Sequence, residues 1–249
     1  MKKCFRCLFL FLFTGSIAAQ PGSLRIGQLV DVPVAKTLFQ GEMMAELRMY
    51  PKGGLLTSVL VGLTDRIGMG ISFGGENIIG MGEVNMNPQP AVHLQYLLIS
   101  EQNLSPGIMI GFNSQGLGAY NQDLKRYAIK SRGIYAVMSK NTSFLGGLGM
   151  HGGLNWSLEN EDKDKDPNVF IGFHKWINPE LAILCEYDAA INDNQNKALG
   201  SGKGYFNAAV QWSFNQTLYV EFDWKNIFEN GKNIDGSSRE IKLIYVTHL

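Results

Sequence analysis

Residues 55–75 read LLTSVLVGLTDRIGMGISFGG, two runs of alternating side chains hinged on Thr64-Asp65-Arg66. In the second run Ile67, Met69, Ile71 and Phe73 share one parity, and Gly68, Gly70, Ser72 and Gly74 share the other. A period of two belongs to a β-strand, so the stretch reads as strand, turn, strand. Its second parity is neither the charged exterior of a soluble protein nor a packed aliphatic core. It suits the wall of a membrane barrel, whose outside meets lipid and whose inside is polar.

The N-terminus agrees with that setting. Lys2, Lys3 and Arg6 precede the apolar run Cys7 to Phe13, and Thr14-Gly15-Ser16-Ile17-Ala18-Ala19 follow. Basic start, short apolar core and small residues make residues 1–19 a secretory signal peptide, cut near Ala18 or Ala19. The run is too short to cross the ~30 Å of hydrocarbon in a bilayer. Without this segment the chain of 249 residues keeps 19 basic against 22 acidic residues, a net charge of −3. No basic stripe remains for nucleic acid. Cys4 and Cys7 leave with the signal, neither at the end of the apolar run where a lipid would be attached, and Cys185 alone makes no internal disulfide. Beyond residue 19 no stretch holds eighteen consecutive apolar residues, so helical spans are excluded. An exported chain that enters a membrane without helices does so as a closed barrel, because open sheet edges stay unpaired in lipid.

Residues 20–40 contain Val30-Asp31-Val32-Pro33, and Pro33 is out of place in a central strand, so this segment reads as a periplasmic lead-in or a plug. Residues 41–249 carry the alternation twelve times: 41–50, the two strands of the opening hairpin, 92–98, 108–113, 131–139, 147–157, 168–176, 181–188, 206–214, 218–225 and 239–249. The facing of 131–139 and 168–176 stays open, since both parities there are partly apolar. After the first connection, the tight turn Pro51-Lys52-Gly53-Gly54, the connections sort by parity: 75–90, 115–130, 159–167, 189–203 and 226–238 are long, whereas 64–66, 101–106, 140–144, 177–180 and 215–217 are short. Short periplasmic turns alternating with long outer loops define the bacterial outer-membrane topology. The expected fold is therefore all-β, a transmembrane antiparallel up-and-down barrel of about twelve strands.

A lipocalin-type barrel alternates too, with its apolar face inside. The opposite face decides, because it holds glycines, amides and mid-strand charges. Aromatics on the apolar face gather near strand ends: Phe73, Phe112, Trp156, Tyr187, Phe206 and Trp224 toward the long loops, Trp212, Phe214 and Tyr245 toward the turns. Two such belts mark the two lipid–water interfaces. Ile241, Leu243, Tyr245, Thr247 and Leu249 alternate to the final residue, similar to the C-terminal signal read by the barrel-insertion machinery, with Leu249 where Phe is usual.

The candidate site is a charged seam on the lumen parity: Glu46, Arg48, Glu186, Asp188, Glu221, Asp223, Lys225, Glu240 and Lys242. Closure of the barrel pairs the last strand with the first and brings most of them together. The seam either lines a water-filled pore, where rings of charge set selectivity, or forms an internal ion-pair network that fills the lumen. Asp162, Asp164 and Asp166 have the spacing of a calcium loop, yet Pro167 stands where its glycine belongs and Phe173 where its glutamate belongs, so they read as a solvated loop. His93, His151, His174 and His248 show no metal-ligand spacing, and no catalytic residue or cofactor is assigned.

Gln28-Leu29-Val30-Asp31-Val32-Pro33-Val34-Ala35-Lys36 and Val61-Gly62-Leu63-Thr64-Asp65-Arg66 resemble the start of the YjbH-like family of outer-membrane barrels, in which a VDVPTA-like lead-in precedes the first strand; Val34 replaces the Thr here. The resemblance covers the first third of the chain. It implies an envelope location and a link to exopolysaccharide, and it carries no catalytic residues. The expectation is an outer-membrane protein in contact with lipid, a channel or accessory for polar solutes or polysaccharide. The alternatives are a non-conducting barrel with a filled lumen and, more distantly, a lipid-modifying enzyme.

Overall fold

The computed structural model describes residues 27–143, 147–195, 197–232 and 236–249. The leader read at 1–19, residues 20–26 and part of the turn 140–144 lie outside the described residues. Twelve antiparallel strands close into one barrel: β1 (Glu42–Tyr50), β2 (Gly54–Thr64), β3 (Ile67–Glu76), β4 (Ala91–Ile99), β5 (Gly107–Asn113), β6 (Gly133–Thr142), β7 (Leu148–Trp156), β8 (Asn168–Asn178), β9 (Leu181–Asp188), β10 (Tyr205–Phe214), β11 (Leu218–Lys225) and β12 (Ser238–His248). Each strand pairs with its sequence neighbours, and β1 meets β12 in the register Glu42↔His248 to Met49↔Ile241. None of these twelve strands is left as an open edge, which is the condition for crossing lipid with sheet.

The opening hairpin sets the orientation of the wall. Ile67, Met69, Ile71 and Phe73 are exposed, while Gly68, Gly70, Ser72 and Gly74 are buried. The same alternation puts Val92, Leu94 and Tyr96 outside on β4, and Trp212 and Phe214 on β10. The exterior is thus the apolar surface that a bilayer covers.

Residues 27–40 run into the barrel; Lys36, Phe39 and Gln40 are exposed and the others are buried or half-buried. They rise from Gly41 at the turn end and reverse at Leu29–Val32, where Leu29 N donates to Val32 O at 3.0 Å and Gln28 bridges Pro33. Leu29, Val30 and Val32 are fully buried and form one cluster with Met109, Tyr135, Val137, Phe170 and Leu184 of the wall. This explains the two strands of ambiguous facing. On β6 Tyr135 and Val137 point inward, and on β8 Phe170 and Trp176 do, because their apolar side chains meet the apolar plug and not water.

Two glycines make room for it. A Cβ at Gly62 would collide with the Phe39 carbonyl, and one at Gly172 with the Leu29 methyl. Gly41 N also donates to Gly62 O at 2.9 Å. Replacing Gly172 by Val should destabilise the barrel by about 1–3 kcal/mol, the usual cost of overpacking. A lower midpoint for loss of the heat-sensitive, fast-migrating form on gels would show it, with Ala at Gly152, where a Cβ meets nothing closer than 3.8 Å, as a control.

Candidate functional site

The inward parity of five adjacent strands, β9 to β12 and β1, builds a continuous polar wall. Glu186 faces Asn207 across β9–β10, Gln211 faces Glu221 across β10–β11, Glu221 faces Lys242 and Asp223 faces Glu240 across β11–β12, and Lys242 faces Arg48 across the closure. Glu46, Arg48, Glu186, Asp188, Glu221, Asp223, Lys225 and Lys242 are all buried, and Glu240 is nearly so.

What these groups face is the tip of the plug. Asp31 accepts from Arg48 Nη2 at 2.8 Å, from Lys225 Nζ, and from Asn207 Nδ2 at 3.3 Å. Glu186 accepts the backbone N–H groups of Asp31 at 2.8 Å and Val32 at 3.0 Å, and Asn207 Nδ2 at 2.8 Å. Lys242 Nζ donates to Val30 O at 2.6 Å while pairing with Glu221 at 2.6 Å and Asp223 at 3.0 Å. Arg48 Nε also bonds Glu240 at 2.5 Å, and Gln28 reaches Glu46 at 3.3 Å. Buried charges are tolerated only when paired and hydrogen-bonded; Arg48, Lys225, Lys242 and Glu186 meet part of that demand through the plug, whereas Asp223, among the described residues, has only its ion pair with Lys242.

Asp188 stands apart. It binds Arg132 and receives Asn168 Nδ2 at 2.7 Å, on the side of the long loops. Above it the loop read as unstructured at 115–130 contains a hairpin, Leu117–Asn121 with Arg126–Ile129. Fully buried Arg126 bonds Asp162 and Asp193, each at 2.7 Å, and Lys130 bonds Asp162 at 2.8 Å. This corrects the reading of Asp162 and Asp164 as solvated: both are buried, and only Asp166 is exposed. Spacing along one loop does not reveal cations that arrive from another.

Glu159, in the same outer layer, accepts Ser131 N at 2.9 Å, yet burial raises its pKa from 4.5 to about 7. The folded protein therefore holds this proton more tightly than the unfolded chain. The contribution is complete below about pH 4.5 and is lost as pH rises to about 7. Glu159→Gln should flatten that dependence, measured as the rate of proteolysis within 117–129 between pH 4.5 and pH 8.

On the other side of the lumen, between the plug and β1 to β6, a cavity of about 110 Å³ remains. It runs from Phe39 and Glu42 at the turn end to Leu117 and Lys130 under the hairpin, past Ser58, His93, Gln95 and Tyr135. Within its wall Ser72 Oγ lies 2.8 Å from His93 Nε2, the spacing of a nucleophile and its base. The polarity is wrong for that chemistry. Gln115 Nε2 donates to Gly116 O at 2.7 Å, leaving its Oε1 to accept the Ser72 hydroxyl at 2.9 Å, so His93 is the donor to Ser72. His151 and His174 are likewise tied up, to each other at 2.9 Å and to Ser139, whose Oγ accepts Ala35 N of the plug at 2.7 Å. Among the described residues no three His, Cys, Asp or Glu side chains converge as a metal cage. Asp31, Asn207, Ser139 and the cavity-lining amides went unassigned in the sequence; the one visible signal was a lone carboxylate between Val30 and Val32.

A closed twelve-stranded barrel with an apolar girdle, short turns at one end and folded loops at the other is the architecture of the porin-like outer-membrane proteins. Among solved structures the chain is similar to the KdgM porin, with a TM-score of 0.50 and 9% identity over 83% of this chain and 99% of that one. It also aligns with Omp33 of Acinetobacter baumannii at a TM-score of 0.45 and 8% identity, over 85% and 98% of the two chains. The NanC porin aligns at 0.44 and 10% identity, over 84% and 98%. No protein-family model matches the chain, and no curated protein matches it. The fold of this chain is that of an outer-membrane β-barrel.

Asp31→Ala would take the shared carboxylate from buried Arg48 and Lys225. It should cost roughly 3 kcal/mol, the scale of a broken buried pair, and be read as a lower midpoint in urea.

Proposed function

We propose that the chain is a narrow outer-membrane channel for small polar solutes, with residues 27–40 as a resident plug that closes the charged side of the lumen. The observation that carries this reading is the cavity beside the plug, whose lining reaches from Phe39 and Glu42 to Leu117 and Lys130 and combines hydroxyl, amide and imidazole groups with apolar side chains and with charged ones such as Glu46 and Arg48. Barrels of about eight strands fill with their own side chains and those of 16–18 strands stay open, so a lumen of intermediate width suits a path narrowed by an inserted segment. Residues 1–19 act as the export signal, and the C-terminal strand engages the insertion machinery.

Reconstituted protein should admit small polar solutes into liposomes, exclude a trisaccharide, and show little ionic conductance in planar bilayers. Asp31→Ala should raise that conductance by loosening the plug tip. Correctly folded wild-type protein that admits no solute would end the channel reading.

A second reading, an accessory of exopolysaccharide handling, rests on the resemblance of residues 28–36 and 61–66 to the YjbH-like family. The residues that follow the first segment meet the second, Thr37 Oγ1 donating to Asp65 O at 3.1 Å and Gln40 N donating to Asp65 Oδ1 at 3.0 Å. Secreted polysaccharide that is unchanged in amount and chain length when the protein is removed from its cell would refute this reading.

A further inference from the structure

Charge and free space overlap along one edge of the lumen. The part of the seam on β9 to β12 is covered by the plug, while the open volume borders β1 to β6 and meets the seam at Glu46 and Arg48 of β1 and at Asp31 of the plug. The ionic groups at the edge of that volume are engaged: Asp31 with Arg48 and Lys225, Arg132 with Asp188, Lys130 with Asp162, and Glu46 with the Gln28 amide and the neighbouring positive charges of Arg48 and Lys242. Glu42 accepts Phe39 N at 2.9 Å, and Lys36 has its own partner. What remains toward the cavity is Ser58, His93, Gln95 and Asn113 above an apolar floor of Met44, Leu56 and Leu60.

We infer that this cavity is the binding site and path for a small uncharged polyol of three to four carbons. The inference rests on the channel reading and names its solute class. An ion entering here would surrender much of its hydration among charges that are already engaged with one another or with fixed hydrogen-bond donors. A polyol exchanges its water hydrogen bonds for those of amides and hydroxyls, and lays its C–H face on Leu56 and Leu60. The size follows from the volume: one water needs at least ~10–15 Å³ of such space, so about 110 Å³ holds several waters, and a three- to four-carbon polyol takes the place of a few of them.

The test uses full-length, signal-processed protein in proteoliposomes, with swelling rates in erythritol, in sodium erythronate and in tetramethylammonium chloride, corrected for protein-free vesicles. Erythritol should enter at least fivefold faster than either salt. A second arm places a thiol in the wall of the folded barrel, Ser58→Cys in a Cys185→Ala background. Modification by a bulky methanethiosulfonate should cut erythritol entry at least fivefold, and reductant should restore it; because the block is applied after folding, misfolding cannot imitate it. Salts entering as fast as erythritol would overturn the solute class and leave the channel intact. Entry of no solute would overturn the channel reading itself, and erythritol entry indifferent to the Ser58→Cys adduct would overturn the location.

Discussion

The engagement of Asp31 and its flanking peptide groups with the wall is the interaction on which the interior depends. Arg48, Lys225 and Lys242 are buried cations, and Glu186 is a buried carboxylate with four hydrogen bonds to receive. The barrel alone leaves part of that demand unmet. The plug tip meets it with one carboxylate, two backbone N–H groups and one carbonyl, all within Val30–Val32. Apolar burial of Leu29, Val30 and Val32 adds roughly 1.5–3 kcal/mol for each side chain, so ionic and hydrophobic terms fix the segment in the same place.

That placement divides the lumen. One side becomes a protein interior, with ion pairs shielded from water and aromatic residues packed on aliphatic ones. The other side stays polar and hollow. The outer hairpin repeats the logic at a second level, because Arg126 and Lys130 bind loop carboxylates that would otherwise repel one another. Both the plug and the hairpin come from segments outside the twelve strands, and both are held mainly by side chains that the strands and loops donate to them.

Much of the architecture was legible because a barrel wall has a local rule. Side-chain parity, turn length and aromatic position are properties of neighbouring residues, so the twelve strands and their order could be read from 55–75 outward. The rule failed where a residue's environment came from a distant part of the chain. β6 and β8 looked ambiguous because Tyr135, Val137 and Phe170 face the plug in place of water. Asp162 and Asp164 looked solvated because Arg126 and Lys130 lie more than thirty residues away from them.

The sequence by itself determined a lipid-facing barrel, its twelve antiparallel strands and the inward parity of Glu46, Arg48, Glu186, Asp188, Glu221, Asp223, Lys225, Glu240 and Lys242. Alternation with a period of two fixes which way a side chain points, and nothing more is needed for that. Only the tertiary structure decided what those charges meet. Their partners are the peptide groups and carboxylate of residues 30–32, separated from Glu186 by 154 residues and from Lys242 by 212. Pairing across such separations depends on closure of the barrel around the segment, and no local pattern encodes it.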